Sequence, residues 1–250
     1  MSETKTDQVR VLPCAKRVRV YLGGQLAVDT IKSRLVWEHA YFPTYYFPAD
    51  ELRVELEPTG DTRTANHLGT PVGFDVIADG HTAPGAAVRY LDSPTPELQD
   101  LVRLEPKAMD AWFEEDEPIY GHPRDPFHRV DILSSSRHIR VEIAGQTVAE
   151  SRNPRILFET GLPARYYLPL TDIRLDLLED SDTTTLCPYK GNAEYWSVQL
   201  GEDIYRDIVW IYRTPTAESQ KIAGFASFYN EKVDIWVDGV REERPDSPFS

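Results

Sequence analysis

From Arg17 the chain reads RVRVYLGGQLAVDTIKSRLVWEHAYFPTYYFPADELRVEL, and from His138 it reads HIRVEIAGQTVAESRNPRILFETGLPARYYLPLTDIRLDL, an ungapped repeat at an offset of 121. Arg19, Val20, Gly24, Gln25, Arg34 and Glu38 recur as Arg140, Val141, Gly145, Gln146, Arg155 and Glu159. Tyr45, Tyr46, Pro48 and Arg53 recur as Tyr166, Tyr167, Pro169 and Arg174. Further on, YLDSPTPELQ meets IYRTPTAESQ, MDAWFE meets VDIWVD, and HPRDPF and RPDSPF close the copies alike. A repeat of roughly 120 residues is the size of an ordinary domain, so the 250-residue chain is expected to build two cores. The copies are expected over 12–130, in degenerate form, and 137–250. Their joint is expected near RVDILSSSRH, where Ser134, Ser135 and Ser136 are small and polar.

Within each copy the period is two. RVRVYLGG and HIRVEIAG alternate apolar and polar residues and end on glycine before a second short apolar run, which predicts a hairpin with one buried face. SRLVWE and PRILFE follow as buried strands. YYFP and YYLP end on a proline, which lacks the amide a ladder needs and so belongs at a strand end. DELRVELE and TDIRLDLLE alternate again, and YWSVQL, IVWIYR, GFASFY and KVDIWVDG add four strands in the second copy, the last two joined by the turn YNEK. Helical signal is confined to short pieces after SPTPEL and TPTAES. The fold class is mostly β: two tandem small antiparallel β domains with short helices.

Charge and composition narrow the partners. Lys plus Arg number 27 against 41 Asp plus Glu, a formal charge of −14 that repels phosphate backbones, so no nucleic acid is expected. No apolar run approaches the ~20 residues of a membrane helix, and MSETKTDQVR lacks the pattern of a secretory signal. No membrane partner and a cytoplasmic location are expected. Cys14 and Cys187 are too few for a disulfide framework, which fits a reducing compartment. The pattern fixes no oligomeric state.

The set V..AG..VAES, YYLP..DI, CPYKG.A.YW, W.Y..P and FASFY..KVD resembles the domain of unknown function 427 family, sometimes labelled nucleotidyltransferase-like, in its tandem arrangement. The likeness covers 137–240 strongly and 16–127 in degenerate form. It implies a β-tent-like fold, in which two small antiparallel sheets meet at an angle. Some relatives of that fold hold zinc with paired C-x-x-C motifs, but one cysteine per copy cannot complete such a site, and neither metal nor cofactor is expected. The nucleotidyltransferase label would require paired carboxylates after a Gly-Ser turn. RLDLLEDSD offers Asp176, Glu179, Asp180 and Asp182 without such a turn and reads as a solvated strand end.

The candidate site is CPYKG. Opposite Cys187, Pro188, Tyr189, Lys190 and Gly191 the first copy has Ala65, Asn66, His67, Leu68 and Gly69, so only the glycine is kept. Gly73 and Phe74 stand opposite Tyr195 and Trp196, and Arg89 and Tyr90 opposite Trp210 and Ile211, or Tyr212 if the loop slips. Three readings stay open. In the first, Lys190 and the amides about Gly191 hold a small anionic molecule between Tyr167, Tyr195, Trp210 and Tyr212. In the second, Cys187 is an enzymatic nucleophile whose thiolate Lys190 favours, although His138 is the only histidine of the 137–250 copy. In the third, the paired domains are a structural or interaction module, with Cys187 a buried apolar residue and Lys190 a solvated one. Glu159 and Glu38 are expected to pair with Arg174 and Arg53, and His122 to Asp125 to form a linker, with His122 and His128 not assigned as ligands.

Overall fold

In Val18–Leu22 and in Ile139–Ile143 alternate side chains are buried, as the period-two pattern requires of a strand with one face on a core. Each strand is followed by a tight turn whose last residue, Gly24 or Gly145, has a positive φ, and by the strands Gln25–Thr30 and Gln146–Ser151. The computed structural model describes residues 9–62 and 64–250. These form two compact units that divide between Asp125 and Pro126.

The two units have one topology. In the first, a seven-stranded antiparallel sheet runs Arg10–Pro13, Arg34–Trp37, Thr44–Pro48, Leu101–Leu104, His81–Arg89, Val72–Ala78, Glu55–Thr62. In the second, the order is Val130–Ser134, Arg155–Glu159, Arg165–Pro169, Phe225–Phe228, Asp203–Ile211, Gly191–Leu200, Leu178–Cys187. Each unit adds a four-stranded sheet, and again the orders correspond: Glu117–Pro118, Ala111–Glu114, Val18–Leu22, Gln25–Thr30 against Val240–Arg241, Asp234–Val237, Ile139–Ile143, Gln146–Ser151. Even an irregularity is shared. The ladder slips at Phe74/Val76 and at Trp196/Val198, with Gly85 and Asp207 at positive φ in the bulged strand. In each case the facing strand catches the bulge amide, through Asp75 or Ser197.

The central strands of each large sheet are buried on both faces. One face packs with the small sheet, around Val20, Val28, Phe47 and Leu104 in the first unit and Val141, Val148, Leu168 and Phe228 in the second. The outer face lies under a loop carrying a short 3-10 helix, Pro96–Leu98 or Ala217–Ile222, which plugs it with Leu98 or Ile222. The second unit's outer face holds the candidate site. Among the described residues no helix is long and apolar enough to cross a membrane.

Several expectations are corrected. The serines expected at the joint are internal to the second unit, because Val130–Ser134 is the edge strand of its large sheet, paired with Arg155–Glu159. His122 to Asp125 belong to the first unit: Phe42 stacks on His122 at 4.1 Å, and Trp37 Nε1 donates to Asp125 at 2.9 Å. The turn after GFASFY does not close a hairpin; it passes the chain from the large sheet, at Phe225–Phe228, to the small one, at Asp234–Val237. MDAWFE and VDIWVD are out of step by one residue. Phe113 pairs with Arg19 as Trp236 pairs with Arg140, so Trp112 occupies the place of Ile235 and points to the core.

Candidate functional site

Strands Leu178–Cys187 and Gly191–Leu200 pair down to Cys187 opposite Gly191, leaving Pro188, Tyr189 and Lys190 to turn the chain. Gly191 has φ +104° and Gly69 has φ +122°, a region that L side chains rarely adopt, which explains why glycine alone survives in both copies. The turn is clamped from the 3-10 segment. Thr216 N donates to Lys190 O at 3.1 Å, and the Thr216 and Ser219 hydroxyls donate to Tyr189 O at 2.5 and 2.9 Å. Held this way, Lys190 turns inward. It is 8% exposed, and its ammonium donates to Glu159 Oε2 at 2.5 Å.

Glu159 ends the strand Arg155–Glu159, and its second oxygen, Oε1, lies 3.0 Å from His128 Nε2. The His128 ring stacks on Tyr189 at 4.4 Å, so one residue of the turn orients the histidine and the next supplies the ammonium. Burial pushes the Glu159 carboxyl up, but the His128 hydrogen bond and the Lys190 charge outweigh it and hold the group below the usual carboxylate range. A carboxylate shared by two bases is the electrostatic centre of this face.

Around it lies a layer of hydroxyls on aromatic rings. Trp210 Nε1 donates to Tyr167 OH at 2.9 Å, Tyr195 OH lies 2.9 Å from Thr185 Oγ1 and 3.3 Å from Tyr229 OH, and the Cys187 side chain packs into the same cluster. Burial raises the hydroxyls of Tyr167, Tyr212 and Tyr229 above their ordinary range, with Cys187 and Glu159 adding to the rise for Tyr167 and Tyr212. These phenols stay protonated and can donate hydrogen bonds. At the margin, Arg165 forks onto Glu231 with two bonds of 2.7 Å. Its guanidinium also lies 5.6 Å from the Trp210 ring and 5.8 Å from that of Tyr229.

The residues expected from the sequence therefore meet on one face: Cys187, Tyr167, Tyr195, Trp210 and Tyr212 in one cluster, with Lys190 and Gly191 in the turn beside it. Two features differ from expectation. The aromatic side chains are at most 8% exposed, so they are a packed layer more than an open wall. Glu159 does not pair with Arg174, which forks onto Asp176, and Glu38 does not pair with Arg53, which reaches Asp29 at 3.5 Å. In the first unit Arg103 approaches Glu38 at 3.6 Å instead. The ladder also settles the slip: Trp210 stands at the place of Val88, and Tyr212 at that of Tyr90. His128, Arg165, Glu231 and Tyr229 were not anticipated.

The family comparison follows the same division. The model of the domain of unknown function (DUF427) matches residues 10–115 and again 131–239. The chain belongs to that family. No curated protein matches it. Both DUF427 segments contain the whole topology described above except the outer strands Glu117–Pro118, at the end of the first unit, Val130, and Val240–Arg241. His128 precedes the second matched segment, which is why a reading anchored on the family pattern passes over it.

Proposed function

We propose that the second unit binds a small anionic molecule on the outer face of its large sheet, at the cluster centred on Glu159. The observation that carries this reading is the sharing of one buried carboxylate by Lys190 and His128 beside a thiol, where the first unit has Leu68 at the place of Lys190 and Ala65 at that of Cys187. Ionisable groups gathered at a buried position in this way cost stability and are the arrangement from which functional clusters are built. The charge balance points to an anion. Although the whole chain carries −14, this face gathers Lys190, Arg165, Lys221, whose ammonium donates to Ile132 O, and Arg155, which lies over Phe225, against Glu159, Glu231 and Glu218. The phenols supply neutral donors that an anion accepts from.

Calorimetric titration of the intact chain with pyrophosphate and with citrate tests the reading. One site per chain is expected for at least one probe. Glu159→Gln, which removes the competing charge while keeping the shape, should bind it about tenfold more tightly, and Lys190→Met should abolish binding. No heat with either probe, or equal affinity in all three proteins, would refute it.

A further inference from the structure

Beyond Val240–Arg241 the chain folds back onto the second unit. Arg241 and Arg244 both donate to Asp234, at 2.7 and 2.9 Å, and fix the point from which residues 245–250 depart. The bonds within that segment are largely its own: Ser247 Oγ accepts from Phe249 N at 3.1 Å, Ser250 Oγ accepts from Ser247 N at 3.0 Å, and Ser250 N donates to Ser247 O at 3.1 Å. Ser247 and Phe249 tie it to the body of the unit. The Ser247 hydroxyl donates to Glu231 Oε1, and the Phe249 ring lies 5.5 Å from the Arg165 guanidinium and 6.0 Å from the Tyr229 ring.

What lies beneath is built more firmly than what covers it. Arg165 is 5% exposed and is held by Glu231 and Asn230, whereas Phe249 is 42% exposed. A buried guanidinium presented to a flat ring, next to a carboxylate that accepts a hydroxyl, is a recognition surface. The first unit lacks its parts, having Thr44 at the place of Arg165 and Glu105 at that of Tyr229. The covering residues lie outside the segment that matches the family, 131–239.

We infer that residues 245–250 are a displaceable strap seated in a binding recess on Arg165 and Glu231, and that the molecule displacing them carries a planar aromatic ring and a hydroxyl. The ring takes the place of Phe249 over the guanidinium, and the hydroxyl takes the place of Ser247 on Glu231. The inference rests on the outer face of the second unit being its binding face, but it does not require the ligand to be an anion.

Titration of the full chain with 2-naphthol, followed by the probe's fluorescence, tests it. Phe249→Ala should bind 2-naphthol about tenfold more tightly than the unaltered chain, since the competing ring is gone, and naphthalene, lacking the hydroxyl, should gain less. The thermal midpoint of Phe249→Ala should stay within about 2 °C, because a half-exposed ring on a surface turn contributes little packing. Unchanged or weaker 2-naphthol binding, an equal gain for naphthalene, or a large fall in the midpoint would each overturn the strap. A chain indifferent to pyrophosphate and citrate whose Phe249→Ala variant gains 2-naphthol would refute the anion reading alone. Anion binding with no gain in that variant would refute the strap alone.

Discussion

In the first unit the strand Leu101–Leu104 sends Arg103 to within 3.6 Å of Glu38, and the Tyr46 hydroxyl donates to the same carboxylate at 3.1 Å. In the second unit Ser227 stands in the place of Arg103, its hydroxyl buried without a partner, and Glu159 takes its cation from the Cys187–Gly191 turn instead. Volume moves with charge. Opposite Arg103 the neighbouring strand carries Val88, and opposite Ser227 it carries Trp210, whose indole spans to Tyr167. A carboxylate taken out of water must be compensated, so both units meet the same requirement from different strands. Tyrosine hydroxyls occur in both layers, Tyr46 and Tyr90 in the first unit and Tyr167, Tyr195 and Tyr212 in the second; the difference lies in what joins them, Val36, Leu68, Val88 and Leu98 on one side, and a thiol and a histidine on the other.

Writing the first unit's residue into the second breaks this contrast most severely. Lys190→Leu should destabilise the second unit by about 3–5 kcal/mol in urea, since Glu159 keeps its buried charge with only His128 beside it. Adding Glu159→Gln should recover most of that loss; a double variant as unstable as the single one would mean that Lys190 acts through packing and not through charge.

A smaller effect sharpens the one feature the two turns share. Gly191→Ala should cost about 1–2 kcal/mol for its positive φ alone, as its new Cβ would meet nothing closer than Thr214 O at 3.4 Å. Gly69→Ala should cost more, because there the Cβ would lie 2.8 Å from Asp92 Oδ1 and 3.1 Å from Ser93 Cα. Equal losses, measured as shifts of each unit's urea midpoint, would mean that the closer contacts at Gly69 carry no cost and that the positive φ alone sets both.

The repeat in the sequence carried most of the fold, because a period of two and a fixed offset survive in side chains that face the core, such as Val20 and Val141 or Tyr46 and Tyr167. It could not carry the register of Trp112, since an aromatic at either of two adjacent positions satisfies a composition match while pointing to opposite faces. The turn at Cys187 stood out for what the first copy lacks there. Its partners did not. Glu159 is kept in both copies, which suggested a shared ion pair, but the cation differs in each and comes from a distant strand or turn. His128 was weighed only as a metal ligand and not assigned, and only the pairing of Val130–Ser134 with Arg155–Glu159 brings it to the carboxylate. Arg165 gave a usable signal, a charge where the first copy has Thr44, directly before the YYLP run.

The direct test is the carboxyl titration of Glu159 itself, followed by carbon NMR of the intact chain. Burial without compensation would lift the group above the ordinary glutamate midpoint of about 4.3, whereas a carboxylate clamped by Lys190 and His128 should titrate below it. The stability it contributes would then be fully present above the ordinary midpoint and lost as the pH falls through the lower value of the folded chain. A midpoint at or above that of an unfolded glutamate, measured while the chain is still folded, would contradict a second unit organised around a shared, ionised carboxylate.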